Sequence, residues 1–587
     1  MTISVTKMVN EILRNEEIPI QWLLMLIISI HKKGKKEVMG NKRGLFLTNV
    51  VSKLFEKIMD DIVGEVEYDE LQHGGKKGRA PLDIWIIMLA IRDTNIRLKK
   101  NTYLFFADLV KCFDRLWLKD CLVDLHEAGV REKEIRILHK LNSEAHIIVK
   151  TPVGPTHEFK LGEMVKQGTV FGPKLCCVST GKINKIGRKA KTVLSPNISI
   201  GAVTFVDDIG AIGSPDTVET VGKNCSAMEE EKGMEFSLPK TNWMCVKTGK
   251  EPKKDIKIEV KQGKIKEAVE YKHLGNWWNE KGNFDRQITH MEKKANDMIR
   301  ECNIFCSKEK IGKMEFQGKL FVYENLIIHS LFYNIEAWSN LRKSDKEILE
   351  VIQGKVLKGI FGLPKSTPYW GILFELDLLP VNLLILYRKL MVYHMLVNSD
   401  ESRVARKVIL EQEEKGHELC WFADVREEAG EIGISLHREV VENKPKSWWK
   451  SKVKNAIHTE YVKQTNNHLS TMKKLRFLHS KARETYLLDS GSYFREAMII
   501  RLNMAEIVSS NFGFRGSTCS LCNETDSTEH VLQCSKILEH NVKVEDLFAG
   551  KNMNTIAKRF ALMEDMRREE MIKTLLKAID IDQENFG

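Results

Sequence analysis

The sequence reads Tyr103-Leu-Phe-Phe-Ala-Asp-Leu-Val-Lys-Cys-Phe-Asp114 in one segment and Ala202-Val-Thr-Phe-Val-Asp-Asp-Ile-Gly-Ala-Ile-Gly213 in another. In both segments a run of apolar, strand-forming residues is interrupted by charge: Asp108 in the first, and the pair Asp207-Asp208 in the second. An ionised carboxylate in such a setting is costly unless a cation or hydrogen-bond donors compensate it. Clustered carboxylates at strand ends are the ligands that hard divalent ions such as magnesium require. The two segments therefore predict a metal site.

The composition indicates a large protein with a basic excess. The chain has 587 residues, of which 43% are hydrophobic and 29% charged, and this length suggests roughly three or four domains. Its net charge of +11 and pI near 8.8 favour polyanionic partners, nucleic acid first. The twelve cysteines are scattered, apart from a cluster near the end, which indicates a reducing compartment rather than a disulfide framework.

The sequence predicts no membrane-spanning segment. Its most apolar stretch, Trp22 to Ile30, is far shorter than the roughly 20 residues that a spanning helix needs. The acidic residues Glu16 and Glu17 just before this stretch argue against a signal peptide.

The hydrophobic patterns predict a mixed α/β sheet followed by a helical module that begins near residue 285. A basic turn, Lys32 to Lys36, follows the first predicted strand and would form a phosphate-binding finger. The predicted strands are Pro19 to Ile30, residues 103–108 and a hairpin at residues 202–213, and the predicted helices are Thr48 to Met59, Asp83 to Ile96, residues 115–128, Phe316 to Tyr333 and Lys346 to Phe361.

A third segment lies between the two acidic ones. Val165-Lys-Gln-Gly-Thr-Val-Phe-Gly-Pro173 is punctuated by Gly and Pro, which would allow the backbone to approach a nucleotide closely. Two converging carboxylate positions can hold two magnesium ions about 3.5–4 Å apart, one activating a 3′-hydroxyl and one neutralising the leaving pyrophosphate. Taken alone, Asp207-Asp208 is more typical of a hairpin turn. The three segments together indicate nucleotidyl transfer.

Residues 18 to 280 resemble the reverse transcriptase domain of non-LTR (LINE-type) retrotransposons, because several motifs of that family occur in order. In chain order these motifs are Gln72-His-Gly-Gly-Lys-Lys-Gly-Arg79, Phe106-Ala-Asp-Leu-Val-Lys-Cys-Phe-Asp114, Gln167-Gly-Thr-Val-Phe-Gly-Pro173, Phe205-Val-Asp-Asp208, Lys240-Thr241 and His273-Leu-Gly275. The fold class that the resemblance implies is α/β (α+β), a right-hand polymerase with fingers and palm, a helical thumb and a small C-terminal zinc-binding region. The expected domains are fingers and palm at 1–285, thumb at 286–400, a helical linker at 401–500, a zinc knuckle region at 501–540 and a charged helical tail at 541–587.

The resemblance also implies roles for the acidic residues and for the residue that selects the sugar. Asp108 and Asp207 would ligate both magnesium ions and Asp208 would support them, with the Leu109 carbonyl completing a coordination sphere. Phe113 matches the bulky residue that would collide with a ribose 2′-hydroxyl and so select deoxynucleotides. Without the flanking aspartates, Phe113 would be interpreted as a core aromatic of a helix.

Further residues of the family's substrate site carry over by position. Lys32, Lys33 and Arg43 match finger residues that clamp the triphosphate, although the two lysines are equally typical of a solvated turn. Gln167 and Gly168 match the segment that packs against the incoming base and template. Lys240 matches a position proposed to protonate the leaving pyrophosphate, and a surface lysine is an equally good interpretation. Leu274 and Gly275 match the primer grip.

The finger region departs from the family pattern at two places. Arg43-Gly-Leu45 stands where the family has Arg-Pro-Ile, and Gly74-Gly-Lys76 stands where it has Gly-Phe-Arg. Because the acidic residues are intact, these departures put catalytic efficiency in question more than identity.

Near the C-terminus, Cys519, Cys522, His530 and Cys534 follow the pattern C-x2-C-x7-H-x3-C, which suits a tetrahedral zinc site. The alternative is four residues that hold no metal. The pattern resembles the Cys-Cys-His-Cys knuckle of the same retrotransposon proteins, where it helps to bind nucleic acid. Arg501, Arg515 and the segment Lys444-Pro-Lys-Ser-Trp-Trp-Lys-Ser-Lys-Val-Lys454 offer cations and stackable rings for that role, and its two tryptophans are equally typical of a core.

The leading hypothesis is an RNA-directed DNA polymerase that uses two Mg2+ ions and dNTPs, with one structural Zn2+, an RNA template and a DNA primer. No endonuclease pattern is evident, so we expect the nuclease on another chain or on a missing part of the polyprotein. The resemblance implies residence in the nucleus. A second hypothesis is a nucleic-acid-binding protein that has lost turnover through decay or domestication, and a third, an RNA-dependent RNA polymerase, is disfavoured by Phe113.

Overall fold

The computed structural model describes most of the chain. The described residues are 2–32, 34–38, 41–66, 69–162, 164–187, 192–195, 198–306, 316–472, 478, 494–502, 518–525, 527, 530–537 and 555–569. Two residues named above, Lys33 and Arg515, lie outside them.

The chain forms two compact units. The first comprises Met1–Phe284, Ala337–Asn340 and Leu396–Asp424. The second comprises Asp285–Glu336, Leu341–Met395 and Val425–Gly587. The first unit is therefore discontinuous in sequence, and it contains both acidic segments.

A five-stranded sheet, here called the central sheet, organises the first unit. From edge to edge its strands are Lys266–Glu267, Asn242–Val246, Thr102–Asp108, Asp208–Gly213 and Ala202–Phe205. Thr102–Asp108 is the middle strand and pairs antiparallel with both of its neighbours. The predicted strand at 103–108, the hairpin at 202–213 and the mixed α/β class are confirmed.

The middle strand is apolar along its whole length because both of its faces are covered. Tyr103, Phe105 and Ala107 join a core with the helices Gly172–Gly187 and Pro215–Lys232. On the other face, Leu104 and Phe106 are also fully buried. Such a strand reads as a continuous hydrophobic run rather than an alternating one, and the run ends where Asp108 becomes partly exposed.

A second sheet, here called the N-terminal sheet, lies earlier in the same unit. Leu24–His31 pairs antiparallel with Lys42–Leu47 and parallel with His146–Thr151. The short strands Gly154–Pro155 and Phe159–Lys160 both pair with His146–Thr151. The prediction of a strand from Pro19 was wrong over its first residues, which form the helix Ile20–Leu23.

That short helix has a packing reason. Trp22 is buried and its ring lies 5.5 Å from the ring of Phe55. One helical turn after Pro19 directs the indole inward, whereas a strand would alternate the neighbouring apolar side chains between two faces.

The remaining elements are given in chain order. The small two-stranded sheets are Thr192–Ser195 with Ile198–Ile200, Glu259–Val260 with Gly263–Lys264, and Glu270–His273 with Asn276–Asn279. The other helices before residue 285 are Thr2–Asn15, Val50–Val63, Pro81–Arg97, Cys112–Arg115, Leu118–Glu127 and Glu132–Ser143. From residue 285 they are Asp285–Cys306, Phe316–Val322, Ile328–Leu331, Lys343–Phe361, Tyr369–Leu376, Val381–Val397, Val404–Lys415, Trp421–Glu431, Arg438–Val441, Lys446–Thr471, Phe494–Arg501, His530–Gln533 and residues 555–569, with a π-helix at Tyr323–Ile327 and a 3-10 helix at Ile335–Ala337.

The predicted helix from Phe316 to Tyr333 is interrupted. A π-helical turn, Tyr323–Ile327, separates Phe316–Val322 from Ile328–Leu331. Tyr323 is buried, and its hydroxyl accepts a hydrogen bond from Gln353 Nε2 at 2.9 Å. A π-turn adds one residue to the helical repeat, and a periodicity count along the sequence does not detect such an insertion.

Among the described residues, no single helix has both the length and the apolar composition of a membrane span; one pair, Tyr369–Leu376 with Val381–Val397, meets the test only jointly, across a bend of 56°.

Candidate active site

The structure places the two acidic segments side by side. Asp108 ends its strand and Asp208 begins the neighbouring strand, and the antiparallel register pairs these two residues directly. Directly opposed residues of antiparallel strands have Cα atoms about 4.5–5.5 Å apart and side chains on the same face. Asp207 precedes Asp208 in the tight turn after Ala202–Phe205. Three carboxylates therefore meet at one end of the central sheet.

The turn that carries Asp207 is strained. Val206 has φ of 57°, in the left-handed region, which a β-branched residue seldom adopts. Strain of this kind costs about 1–3 kcal/mol and persists only where surrounding contacts impose it. The turn therefore needs specific support.

Gln72 provides much of that support. Its Oε1 accepts a hydrogen bond from Val206 N at 3.1 Å, and its Nε2 lies 3.3 Å from the Val206 carbonyl oxygen. The hydroxyl of Thr180 donates to the same carbonyl at 2.7 Å and accepts from Gln72 Nε2 at 3.0 Å. Gln72 is fully buried, so a single side chain satisfies both backbone groups of the strained residue.

At Gly74, the backbone that follows Gln72 packs directly against the turn. A Cβ added at Gly74 would lie 2.3 Å from Val206 N, a distance that no side chain can accept. The neighbouring backbone is fixed along the edge strand, because His73 N donates to the Thr204 carbonyl and Thr204 N donates to the Leu71 carbonyl. Contacts within this chain therefore require glycine at position 74.

The acidic cluster carries unfavourable negative charge. Burial, together with the charges of Asp207 and Asp108, raises the pKa of Asp208 to about 6. Burial and the charge of Asp108 also raise the pKa of Asp207. Hard oxygen donors whose ionised forms destabilise one another fit a divalent cation, which would offset both penalties.

Lys240 compensates part of this charge. Its ammonium lies 2.5 Å from Asp108 Oδ2, and its carbonyl accepts a hydrogen bond from the Tyr271 hydroxyl at 2.7 Å. A cation that joined all three carboxylates would have to exchange for this ammonium on Asp108. Lys240 is thus placed at the acids, as the sequence predicted, with an ion pair that the sequence did not reveal.

The cationic residues of the N-terminal sheet act on the acids through their electric field. Lys32 follows the strand Leu24–His31, and Arg43 lies opposite Ile30 in the adjacent strand. The charges of Lys32 and Arg43 both lower the pKa of Asp207 against the larger effect of burial. Both cations therefore lie close enough to Asp207 to stabilise its ionised form.

The segment with Gln167 and Gly168 packs on the same sheet. The Gln167 carbonyl accepts a hydrogen bond from Phe46 N at 3.0 Å. Gly168 has φ of +100°, and a Cβ there would approach the Phe46 carbonyl oxygen to 2.9 Å. The preceding Lys166 is buried and donates to the Leu141 carbonyl at 2.5 Å, and burial lowers its pKa to about 7.

Phe113 lies in the short helix Cys112–Arg115, which directly follows the loop after Asp108. It is partly buried and packs against the core, and its carbonyl accepts a hydrogen bond from Val165 N at 3.1 Å. Lys111, at φ of 48°, reverses the chain between Asp108 and this helix. Phe113 is thus a packing residue that follows Asp108 by five positions in the chain.

Leu274 and Gly275 form the turn between Glu270–His273 and Asn276–Asn279. Both have positive φ, 44° and 90°, as two-residue hairpin turns require. The hairpin is tied to the middle strand because the Tyr271 ring stacks on Phe106 at 4.4 Å. Burial and the charges of Asp108 and Asp208 raise the pKa of Tyr271, which places its hydroxyl near the acids.

The four zinc-ligand candidates converge in the second unit. Cys519, Cys522, His530 and Cys534 each offer a ligand atom, and these atoms all lie within 4.8 Å of one another. Within the described part of the chain this is the one group of Cys, His, Asp or Glu that meets this spacing, and the three aspartates do not. Three sulfurs and one ring nitrogen are the donor set of a closed structural zinc site.

Residues far along the chain complete this cluster. Arg567 Nη2 donates to Cys519 Sγ at 3.2 Å, and Arg559 donates to the Cys534 carbonyl at 3.1 Å. Burial acts to raise the pKa of Cys519, but hydrogen bonds from Arg567 and nearby backbone groups bring it down to about 6.

The prediction that Arg501 offers a cation to nucleic acid was wrong. Its side chain is fully buried and is paired with Glu375 at 3.1 Å.

Sequence reasoning did not identify Gln72, Thr180, Tyr271 or Arg567 as site residues. Gln72 lies in the motif Gln72–Arg79, but the sequence alone assigns it no role. Thr180, Tyr271 and Arg567 belong to none of the sequence motifs named above, and only the fold brings them to their sites.

Residues 30–277 match the family model described as reverse transcriptase (RNA-dependent DNA polymerase), and this range includes all three aspartates. The chain is 21% identical over 373 residues to the probable RNA-directed DNA polymerase from transposon X-element of Drosophila melanogaster, with 61% of this chain and 40% of that protein covered. It is 22% identical over 382 residues to the corresponding protein from transposon BS of the same species, with 60% and 40% covered. It is 22% identical over 266 residues to the RNA-directed DNA polymerase from mobile element jockey of Drosophila funebris, with 44% and 28% covered.

The chain thus spans at most about 40% of the length of these relatives. Among solved structures, it resembles apo telomerase from Candida tropicalis at a TM-score of 0.32 and 14% identity, with 76% of this chain and 68% of that chain covered. It also resembles telomerase from Candida albicans, solved with a TWJ fragment of telomeric RNA, at 0.32 and 12%, with 67% and 65% covered. Likeness at this level supports no inference about this chain.

Proposed function

Taking residues 30–277 as a reverse transcriptase domain, we propose that the chain is the RNA-directed DNA polymerase of a non-LTR retrotransposon. It extends the 3′-hydroxyl of a DNA primer with deoxynucleotides on an RNA template. The observation that carries the proposal is the direct register pairing of Asp108 with Asp208, next to Asp207 in a strained and buttressed turn.

Asp108, Asp207 and Asp208 would hold the two magnesium ions. When bound, these ions favour the ionised 3′-hydroxyl of the primer and stabilise the charge that develops on the pyrophosphate. The chain itself holds the three carboxylates together at one end of the central sheet. Gln72 and Thr180 fix the turn, and the raised pKa values of Asp207 and Asp208 show that their charges lack full compensation.

The remaining site residues bind and select the substrate. Lys32 and Arg43 attract the triphosphate, and Lys240, released from Asp108, supplies a cation or a proton beside the leaving group. Phe113 rejects ribonucleotides by collision with the 2′-hydroxyl. Gln167 and Gly168 contact the incoming base and template, and Leu274 and Gly275 grip the primer.

We further propose that Cys519, Cys522, His530 and Cys534 bind one structural zinc ion. The convergence of the four ligand atoms supports this assignment. The endonuclease that opens the target DNA belongs to another chain or to another part of a longer protein, and the site of action is the nucleus.

Primer extension on an RNA template tests the polymerase. Asp207→Asn should abolish incorporation of deoxynucleotides, whereas Asp216→Asn, an exposed acid outside the site, should retain it. Phe113→Val should admit ribonucleotides that the wild type rejects. If the wild type incorporates nothing while it binds the primer–template, or if Asp207→Asn remains active, the proposal is wrong, and the first outcome favours the non-catalytic alternative.

A further inference from the structure

The start of the long helix Lys446–Thr471 carries an unusual charge pattern. Five lysines occur between residues 444 and 454, and no Asp or Glu occurs from 443 to 459. In the described part of the chain none of these five ammonium groups is paired with a carboxylate. The lysine–tryptophan patch is defined here as Lys444, Trp448 and Lys452.

The two adjacent tryptophans of this segment have different environments. Trp449 is fully buried, and its Nε1 donates to the Leu390 carbonyl at 2.9 Å. Trp448 is 42% exposed. Trp449 therefore anchors the helix, while part of the Trp448 ring is presented to solvent.

The exposed ring has a cation on either side. The ammonium groups of Lys444 and Lys452 lie 5.9 Å and 5.4 Å from the centroid of the Trp448 ring. Lys446, Lys450 and Lys454 are also exposed, but at two or six residues from Trp448 they lie on another side of the helix. An exposed aromatic ring with an ammonium group on either side along the helix complements a ligand that joins flat rings to a phosphate chain.

We propose that the lysine–tryptophan patch binds single-stranded nucleic acid, with a base stacked on Trp448 and phosphates on the lysines. Base–aromatic stacking and cationic tracking of the backbone are the two features of single-strand binding surfaces. An anionic membrane fits less well, because Trp448 is the one exposed large apolar side chain in Lys446–Thr471, and binding to a membrane surface scales with the apolar area that enters it. The inference does not depend on polymerase activity, since the patch contains none of the residues assigned to catalysis.

Photocrosslinking with the full chain tests the proposal directly. A single strand that carries 5-bromouracil is bound without added magnesium, irradiated and digested, and the crosslinked peptide is identified by mass spectrometry. The RNA and DNA versions of the strand distinguish the two sources of this ligand. A crosslink within residues 443–454 for either strand is expected. Crosslinks from both strands that all lie elsewhere would overturn the proposal.

Affinity measurements on variants separate stacking from charge. Trp448→Ala should weaken single-strand binding at least about fivefold, Trp448→Phe should restore most of it, and neither should change binding of a blunt duplex, whose base faces are covered. Lys452→Gln should lower the slope of log affinity against log salt by about 0.7. Lys463→Gln is the matched control, an exposed lysine of the same helix paired with Glu460, and should leave the slope unchanged.

Equal effects of the two lysine substitutions, or single-strand binding that Trp448→Ala leaves unchanged, would contradict the proposal. So would a loss of binding to phosphatidylserine vesicles in Trp448→Ala with single-strand binding intact. Because the measurements need neither magnesium nor dNTPs, a failed polymerase assay does not affect them.

Discussion

At the scale of the residue, the strained Val206 makes Gln72 a positioning residue for the acids. Gln72→Met keeps the volume but leaves the buried N–H and C=O of Val206 with fewer partners, at a cost of about 1–3 kcal/mol. We expect kcat of primer extension to fall at least about tenfold with little change in the KM for dNTP. Gln262→Met, at an exposed position, is the control.

Steady-state kinetics at saturating primer–template checks this prediction. A combined Gln72→Met, Thr180→Val variant should lose less than the sum of the single losses, because both side chains act on one carbonyl. If Gln72→Met lowered only the thermal stability and left kcat unchanged, the turn would not need this support for catalysis.

Asp208 gives a pH-dependent prediction at the same scale. Its pKa of about 6 in the folded chain exceeds the value of about 3.9 in an unfolded chain. Between these values the folded state binds more protons, so the free energy of unfolding falls as pH rises from about 4 to about 6. Asp208→Asn should therefore unfold at a higher temperature than the wild type at pH 7 in EDTA, by an amount worth about 1–3 kcal/mol, and at the same temperature below pH 4.

Scanning fluorimetry across this pH range measures the difference, with Asp216→Asn as the control. Added magnesium should raise the unfolding temperature of the wild type more than that of Asp208→Asn, because an ion that binds only the folded state stabilises it. A wild type that is the more stable of the two at pH 7 in EDTA would contradict the charge argument.

At the scale of the element, the sequence predicted strands and helices best where one local pattern decides them. The apolar run ending at Asp108 and the turn at Asp207-Asp208 predicted both strands, and their register then brought the acids together. The helix Ile20–Leu23 and the π-turn Tyr323–Ile327 were missed, because contacts of Trp22 with Phe55 and of Tyr323 with Gln353 decide them. Such contacts between distant residues leave no local periodicity.

The site residues show the same difference between local sequence patterns and contacts between distant residues. The acidic residues and the Cys and His pattern are visible in sequence, because their chemistry fixes residue type and spacing. Gln72 and Arg567 were not visible in these roles, since each acts on a residue at least 48 positions away in the chain. Their side chains are common types, so only the fold reveals what they support.

The helix at residues 555–569 contacts the cluster of proposed zinc ligands through Arg559 and Arg567. Arg567→Leu should weaken zinc binding by roughly 10–100-fold, the usual effect of removing a partner of a ligand. Arg568→Leu is the matched control, because Arg568 is the neighbouring arginine and its side chain is 53% exposed. Competition with a chromogenic chelator measures the affinity, and the Co2+ absorption spectrum reports the geometry of the site. Equal affinities in the two variants would show that Arg567 only packs.

At the scale of the whole molecule, the first unit is built from segments far apart in sequence. Arg403, in Leu396–Asp424, forms a buried two-bond ion pair with Asp83 at 2.6 and 2.9 Å. Asp83 also caps the helix Pro81–Arg97 by accepting from Ala80 N. Ser339 donates to Asp93 at 2.6 Å, and Arg92 Nη2 donates to Ser339 Oγ at 3.0 Å. The later segments thus supply an ion-pair partner and hydrogen-bond partners for acids buried in the earlier one.

A fragment cut at residue 285 should therefore fold poorly. It would leave Asp83 buried without Arg403, and removal of one partner of a buried ion pair costs about 3–5 kcal/mol. We expect residues 1–285 to be degraded much faster as a fragment than within the full chain in limited proteolysis, and Arg403→Leu in the full chain to expose the same cleavage sites. Lys407→Leu, which removes a half-exposed pair with Glu70, should leave the digestion pattern unchanged, because a surface pair contributes about 0–1 kcal/mol. A fragment 1–285 as resistant as the same residues in the full chain would show that the first unit folds without its distant segments.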